Sequence, residues 1–164
     1  MKIEYIKGDL LESDCHIIGH QVNCLGRMGS GIAAQIKKKW PKVYHEYTDF
    51  CVGDWDDGLL GKCQICMTGY NISPTYLPCF VANIFGQFEY GTDRRHTDYD
   101  ALKSGLIILF DFAQFFTSKE RPMIVGLPKI GCGLAGGDWN VVEEMILGII
   151  KERGYDFILR VYEL

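Results

Sequence analysis

The sequence predicts an α/β fold, a three-layer α/β/α sandwich with a central mixed, largely parallel sheet. Strand-like and helix-like segments alternate along the 164 residues, which is typical of a sheet covered by helices on both faces. Residues Pro122–Pro128 are fully apolar, as expected of a strand buried on both faces. Two glycine-rich loops each stand between a strand-like and a helical segment. The length suits one domain, residues 1–164, with a sizeable core.

Six segments are apolar or alternate between apolar and polar residues, which is the pattern of strands. They are Met1–Lys7, His16–Val22, Leu59–Gly69, Leu77–Ile84, Pro122–Pro128 and Tyr155–Tyr162. Pro74 and Pro78 mark the turn before the fourth of these strands and the start of that strand. No internal repeat or linker interrupts the order of the segments, so they belong to one sheet.

Two short helices are predicted after the second strand. Ile32, Ile36 and Trp40 recur at four-residue spacing, which is typical of one face of an amphipathic helix. Proline disrupts a helix interior, so Pro41 is expected to end this helix. Residues Val43–Cys51 are expected to form the next one.

Two longer helices are predicted later in the chain. Residues Thr97–Asp100 resemble a capping box, so a helix is expected to begin there and to run to about Phe116. Asp138 stands where an N-cap is expected, before apolar residues at helical spacing. Gly154 is well placed to end that last helix.

The charge of the chain limits how it can hold a phosphate ligand. The formal net charge is −4, so a broad electrostatic attraction to nucleic acid is not expected. Backbone amides and helix N-termini can hold a phosphate group without a basic patch. We therefore look for a local anion site in the loops.

Cysteine content and hydropathy bear on location and metal binding. The 7 cysteines are an odd number, and Met1–Lys7 is a charged strand rather than a leader, so a cytoplasmic location is expected. Cys63 and Cys66 would point to opposite faces of a strand, which favours core packing over a metal or disulfide site. The apolar run Leu106–Phe116 is too short to cross a membrane, so no membrane partner is expected.

The two glycine loops are the strongest functional signal. The first spans Gly26–Gly31 after the second strand, and the second spans Gly131–Gly137 after the fifth strand. In α/β sheets ligands bind beyond the carboxyl ends of strands, where glycine allows close backbone approach and helix N-termini attract anions. The pair predicts a diphosphate site, with two plain tight turns as the alternative. Neither loop has the pattern of a dinucleotide-binding fold or a P-loop.

Four motifs resemble those of the macro domain family. They are Gly8-Asp9-Leu10, His20-Gln21-Val22-Asn23, Met28-Gly29-Ser30-Gly31-Ile32-Ala33 and Ile130-Gly131-Cys132-Gly133-Leu134-Ala135-Gly136-Gly137-Asp138-Trp139. The resemblance covers essentially the whole chain and is closest to the branch with ADP-ribose-1''-phosphate phosphatases and ester-cleaving, deacylating proteins. It implies ADP-ribose, or its 1''-phosphate or ester derivatives, as the ligand of a monomer, with no cofactor and no metal.

The resemblance assigns ligand contacts by position. Asp9 would accept the adenine amino group, with the capping of a turn as the alternative. Asn23 would lie beside the distal ribose, and the glycine loops would surround the diphosphate. Phe85 would line the ribose end or belong to the core. The ligand-binding residues implied in this way are Gly8, Asp9, Leu10, Asn23, Met28, Gly29, Ser30, Gly31, Ile32, Asn83, Phe85, Gln87, Gly131, Cys132, Gly133, Leu134, Ala135, Gly136 and Gly137.

The chain departs from two hydrolytic patterns of the family it resembles. Ala33 stands where the mono-ADP-ribosyl hydrolase branch has an aspartate, and Ala135 where the ester-cleaving branch has one. The ester-cleaving branch also uses a lysine on the loop after the strand that ends near Ile84, but no lysine occurs between Lys62 and Lys103. A lysine-adduct mechanism is therefore disfavoured.

His20, Asn23 and Asp138 are the candidate catalytic residues. His20 ends a strand at the predicted crevice, where it could protonate a leaving oxygen or activate water; the alternative is a core histidine hydrogen-bonded to backbone. Asp138 could orient a water molecule or only cap its helix. Residues Glu89–Asp100, with two arginines, could form a lid that contacts a terminal phosphate, or a solvated loop.

The predicted activity is hydrolysis of the terminal phosphate of ADP-ribose-1''-phosphate without a metal ion. No carboxylate or histidine cluster has the spacing of metal ligands in the sequence, which argues against the two-metal phosphatase route. Two alternatives stay open: an enzyme that removes ADP-ribose from protein or nucleic acid, and a module that binds ADP-ribose without chemistry. A domain for some other phosphorylated ligand is the least specific alternative.

Overall fold

A six-stranded mixed sheet forms the centre of the protein within residues 1–53, 58–70 and 75–164, which the computed structural model describes. The strands are β1 (Ile3–Lys7), β2 (Ile17–Val22), β3 (Cys63–Met67), β4 (Phe80–Phe85), β5 (Ile124–Leu127) and β6 (Ile158–Glu163). They lie in the order β1-β6-β5-β2-β4-β3, and every neighbouring pair is parallel except β3 and β4. The predicted mixed, largely parallel sheet is confirmed.

Helices cover both faces of this sheet. They are α1 (Gly31–Lys39), α2 (Pro41–Cys51), α3 (Tyr99–Phe115) and α4 (Trp139–Arg153). On one face, core residues of α3 and α4 pack against Ile17. On the other face, Ile36 of α1 and Val43 of α2 pack against Ile18. Because neighbouring strand residues point to opposite faces, these two cores make the predicted three-layer sandwich.

All six strands begin one to four residues later than the sequence pattern predicted, and two of these shifts have a clear local cause. β3 begins at Cys63, because Gly61 before it lies in a turn with a φ of +88°. β4 begins at Phe80, because Pro78 before it has no amide hydrogen to donate to a neighbouring strand. Pro74, which was predicted to mark the turn between these strands, lies outside the described residues.

The helix boundaries follow the capping residues. α2 begins directly at Pro41, because proline is well tolerated at the first position of a helix. Asp98, and not Thr97, caps α3, since the Asp98 carboxylate accepts a backbone amide at 3.0 Å while the Thr97 hydroxyl is bonded elsewhere. Asp138 caps α4, and Gly154 ends it with a φ of +66°, both as predicted.

Two further expectations concern the cysteines of β3 and the apolar run of α3. Cys63 and Cys66 are free thiols that pack in the two different cores, so they lie on opposite faces of the sheet as their spacing predicts. None of the described helices is long and apolar enough to cross a membrane. Within the same part of the chain, no group of three or more His, Cys, Asp or Glu residues could hold a metal ion.

Candidate functional site

A cavity of about 580 Å³ opens beyond the carboxyl ends of β2, β4 and β5. Its wall consists of the end of β2, the first glycine loop with the start of α1, the segment after β4, and the second glycine loop. The lining residues are 21–23, 27, 29–33, 87, 90–92, 128–131 and 133–135. Both predicted glycine loops therefore contribute to one space at the carboxyl edge of the sheet, where α/β proteins bind their ligands.

Asn23 shapes the first glycine loop. Its Oδ1 accepts the backbone amides of Leu25 at 3.0 Å and Arg27 at 3.2 Å, and its Nδ2 donates to the carbonyl of Arg27 at 2.8 Å. The buried Tyr47 hydroxyl lies 2.7 Å from the Asn23 carbonyl oxygen and 3.0 Å from Oδ1. After these bonds, Asn23 has one amide hydrogen left for a ligand.

The first glycine loop ends at the N-terminus of α1. Ser30 is the N-cap, but its side chain makes no capping hydrogen bond. The amides of the first helical turn therefore have no side-chain acceptor, and Gly31, Ile32 and Ala33 of this turn line the cavity. Such a terminus carries a partial positive charge, so it suits an anionic group of the ligand.

The second glycine loop is held by its own backbone. The amide of Gly137 donates to the Gly131 carbonyl at 2.8 Å, and the amide of Gly136 donates to the Gly133 carbonyl at 3.0 Å. A Cβ at Gly137 would overlap the Gly131 carbonyl oxygen, so this closed turn requires glycine. The loop leads to Asp138, which caps α4 with a bond of 2.9 Å and is not among the lining residues.

Residues 87–97, here called the third wall, close the cavity between the two loops. The amide of Cys24 donates to the Phe88 carbonyl at 3.0 Å, which joins the third wall to the segment between β2 and the first loop. The amide of His96 donates to the Ala135 carbonyl at 2.8 Å, which joins it to the second loop. The predicted lid, Glu89–Asp100, is therefore bonded to the second loop through His96, and its residues 90–92 line the cavity.

The arginines of the third wall point to other partners. Arg94 forms an ion pair with Glu89 at 2.9 Å, and the Arg95 guanidinium lies 4.4 Å from the centre of the Tyr99 ring. Neither arginine is among the lining residues. In this arrangement Arg94 pairs within the third wall, Arg95 packs on α3, and neither side chain is part of the lining.

The lining carries no carboxylate and no imidazole, as far as the structure describes it. Its cationic side chains are Arg27 and Lys129, and Lys129 forms an ion pair with Glu163 at 2.6 Å. A chain with a net charge of −4 thus presents backbone amides, polar side chains and two cations to its ligand. That distribution favours an anion, because acidic side chains are kept away from it.

His20 lies outside the cavity, in the core. Its side chain is fully buried, and its Nε2 lies 2.7 Å from Oδ1 of Asn83, a buried residue of β4. Burial lowers the pKa of His20 to about 4, so the imidazole is neutral at pH 7. This position favours the alternative of a core histidine, with the side chain of Asn83 as its partner instead of the backbone.

Asp9 and Phe85 also have the structural roles that were the alternatives to ligand binding: Asp9 caps a turn and Phe85 lies in the core. Oδ1 of Asp9 accepts the amide of Leu11 at 2.9 Å and so caps the short 3₁₀ helix Leu10–Glu12. Phe85 is fully buried, and its ring lies 5.5 Å from that of Phe50. A contact of Asp9 with adenine stays a prediction.

The structure brings together about half of the ligand-binding residues predicted from the sequence. Those that line the cavity are Asn23, Gly29, Ser30, Gly31, Ile32, Gln87, Gly131, Gly133, Leu134 and Ala135. Those outside the lining are Gly8, Asp9, Leu10, Met28, Asn83, Phe85, Cys132, Gly136 and Gly137. Sequence reasoning missed Gln21 and Arg27, which line the cavity; Gln21 follows His20 directly, and neighbouring strand residues face opposite sides.

Fold and site together define an α/β protein whose ligand cavity lies between two glycine loops at the carboxyl edge of the sheet. The chain belongs to the Macro domain family, whose model matches residues 20–146. The resemblance stated from the sequence motifs is confirmed.

Individual relatives agree with this assignment. The chain is 27% identical over 180 residues to an ADP-ribose 1''-phosphate phosphatase of Saccharomyces cerevisiae (strain YJM789), covering 99% of this chain and 98% of that protein. It is 27% identical over 150 residues to a DNA ADP-ribosyl glycohydrolase of Mycobacterium tuberculosis, covering 92% of this chain but 39% of that protein. The solved macrodomain of Mycobacterium tuberculosis DarG is 26% identical, with a TM-score of 0.74 and coverage of 99% and 98%.

Proposed function

We propose that the protein binds ADP-ribose and removes the terminal phosphate of ADP-ribose-1''-phosphate without a metal ion. The observation that carries this proposal is the N-terminus of α1, which lacks a side-chain cap and opens into a cavity without carboxylates. A diphosphate fits such a terminus, because its oxygens accept the amides that no side chain occupies. The yeast relative, aligned over nearly its whole length, supports the choice of substrate.

The cavity would assist the reaction by binding and orienting the substrate and by stabilising the charge that develops on it. Water attacks the phosphorus atom, the bond to the 1'' oxygen breaks, and inorganic phosphate and ADP-ribose are the products. Asn23 has one amide hydrogen left for a ligand, which would serve the distal ribose, and Arg27 supplies a positive charge in the lining. Catalytic roles for His20, Asn23 and Asp138 stay predictions from the sequence.

The test is a phosphate-release assay. Purified protein mixed with ADP-ribose-1''-phosphate in EDTA is expected to release inorganic phosphate, and calorimetry is expected to show ADP-ribose binding. A variant with a negative charge at Ser30 serves as the inactive control, because a carboxylate there would compete for the α1 amides. Binding without phosphate release would rule out the phosphatase and leave the binding function.

Removal of ADP-ribose from a macromolecule is the second candidate function. It is favoured by the mycobacterial relative, which is named as a DNA ADP-ribosyl glycohydrolase. The assay uses DNA and protein that carry ADP-ribose, with release of free ADP-ribose as the measured product. Release from either substrate, with no phosphate release from ADP-ribose-1''-phosphate, would replace the phosphatase proposal.

A binding module without chemistry is the third candidate. It is favoured by the described lining, which has no aspartate, glutamate or histidine to act as a general acid or base. Calorimetry that shows ADP-ribose binding, together with no turnover of the phosphate or of any ADP-ribosylated substrate, would select this function.

A further inference from the structure

We infer that Gln21 is a positioning residue that sets the width of the cavity by bonding the third wall and the second glycine loop to β2. The inference rests on the proposed binding of ADP-ribose in this cavity. Nε2 of Gln21 donates to Oε1 of Gln87 at 2.8 Å and to Oγ1 of Thr97 at 2.9 Å. A single amide nitrogen thus contacts the first and last residues of the third wall.

The direction of these bonds follows from backbone carbonyls at both ends of the network. Nε2 of Gln87 donates to the Glu89 carbonyl at 2.7 Å, so Oε1 of Gln87 is the atom that faces Gln21. The Thr97 hydroxyl donates to the Gly131 carbonyl at 2.7 Å, so its oxygen can only accept from Gln21. Both acceptors therefore need a hydrogen from position 21, and the amide has two.

The network reaches every wall of the cavity except the first loop. Through Thr97 it holds Gly131, the first residue of the second loop, and through Gln87 it holds the start of the third wall. The amide of Thr97 also lies 3.3 Å from the Ala135 carbonyl oxygen, next to the bond from His96. A change at Gln21 would therefore move two walls of the site at once.

The backbone at Gly86 and Gly131 packs closely against the Gln21 side chain. A Cβ at Gly86 would overlap the Gln21 side chain, and a Cβ at Gly131 would lie 3.0 Å from its Oε1. That oxygen is buried without a hydrogen-bond partner among the described residues. An unpaired buried oxygen costs stability, so folding alone would favour an apolar residue here. Glutamine offsets this cost with two N–H donors, which an apolar residue would lack.

The inference is tested by Gln21→Glu. The new carboxylate keeps the shape of glutamine but places a negative charge against two acceptor oxygens, and it cannot donate. ADP-ribose affinity is expected to fall about tenfold at about pH 8 and to recover partly as the pH falls, because protonation restores one donor. Wild-type protein is expected to show no such recovery.

Gln64→Glu is the matched control. Gln64 is a half-buried glutamine of β3 whose Nε2 donates to the Glu46 carbonyl at 2.9 Å, and it is not among the lining residues. Its substitution is expected to lower the melting temperature without changing ADP-ribose affinity. A purely structural role for Gln21 would give the same result for both variants.

Two further variants keep the inference open to refutation if Gln21→Glu does not fold. Gln21→Leu removes both donors together with the unpaired oxygen, so it is expected to weaken binding while the melting temperature changes little. Thr97→Val removes the bonds of the hydroxyl to Gly131 and to Gln21 but leaves the bond between Gln21 and Gln87, so it is expected to weaken binding less. Wild-type protein that does not bind ADP-ribose would overturn the proposed function. Wild-type binding that all three variants retain within about twofold would overturn the inference alone.

Discussion

The two glycine loops follow neighbouring parallel strands, yet the helix N-termini that come after them differ in their capping. The first leads to Ser30, which makes no capping bond, and the amides after it line the cavity. The second leads to Asp138, whose carboxylate accepts a backbone amide of α4 at 2.9 Å. Side chains thus occupy the amides at one helix N-terminus and leave those at the other for a ligand.

The loops also differ in what holds them. The first depends on the carboxamide of Asn23, supported by the Tyr47 hydroxyl. The second closes on itself through the bond from the Gly137 amide to the Gly131 carbonyl and is joined to the third wall. Similar glycine runs therefore have different roles: the first loop leads to free backbone N–H donors, and the second gives the cavity its shape.

Replacing Ser30 by aspartate, the capping residue that follows the second loop, is expected to have the largest effect on ADP-ribose affinity. In Ser30→Asp the new carboxylate would occupy the α1 amides and repel the diphosphate, by roughly 4 kcal/mol for charges about 4 Å apart near a surface. ADP-ribose affinity is expected to fall about a thousandfold in calorimetry, while the melting temperature rises. Ser30→Ala is the control, because the native side chain makes no cap bond. Equal affinities of both variants would contradict the assignment of α1 as the diphosphate site.

The strands that precede the two loops differ in titratable side chains, because β2 carries His20 and β5 carries none. The second test is therefore the pH dependence of stability. The folded pKa of His20 is about 4, against 6.5 for an unperturbed histidine. The unfolded chain therefore binds a proton first as the pH falls, and stability present above pH 6.5 is lost toward pH 4. The loss amounts to about 3 kcal/mol.

Urea denaturation at several pH values measures this loss. The difference in unfolding free energy between wild-type protein and His20→Gln is expected to shrink toward acidic pH. Identical pH dependence of both proteins would show that His20 is not buried as a neutral group. If His20 were instead the general base of a reaction, the activity of the wild type would show an inflection near neutral pH that His20→Gln lacks.

Gly137→Ala tests the self-closed turn of the second loop. The added Cβ would overlap the Gly131 carbonyl oxygen, so the loop must shift, at a cost of about 2 kcal/mol in unfolding free energy. Gly133→Ala is the control within the same loop, since a Cβ there has no atom within 4 Å. Equal destabilisation by the two variants, measured in urea, would show that the turn does not depend on glycine at position 137.

The sequence predicted this fold well, because the patterns of strands and helices are set by residues only a few positions apart in the chain. It also located the glycine loops, because clusters of glycine mark tight turns in the sequence whatever their place in the fold. It identified the residues that line the cavity only in part. His20 and Gln21 are adjacent and so point to opposite faces of β2, but both faces carry a core, and only the packing of the helices and loops decides which side chain reaches the cavity. For that reason His20, the predicted acid-base residue, lies in the core, and its neighbour Gln21 lines the cavity.

Asp138→Ala is expected to have the smallest effect of the four, and it separates the two roles considered for this residue. Loss of the cap is expected to cost about 1 kcal/mol, the same as Asp98→Ala at α3, because both carboxylates accept an amide of the first helical turn. ADP-ribose affinity and phosphate release are expected to stay unchanged, since Asp138 is not among the lining residues. A fall in turnover of about a hundredfold at unchanged affinity would show instead that Asp138 acts on the substrate. The second loop would then carry chemistry as well as shape.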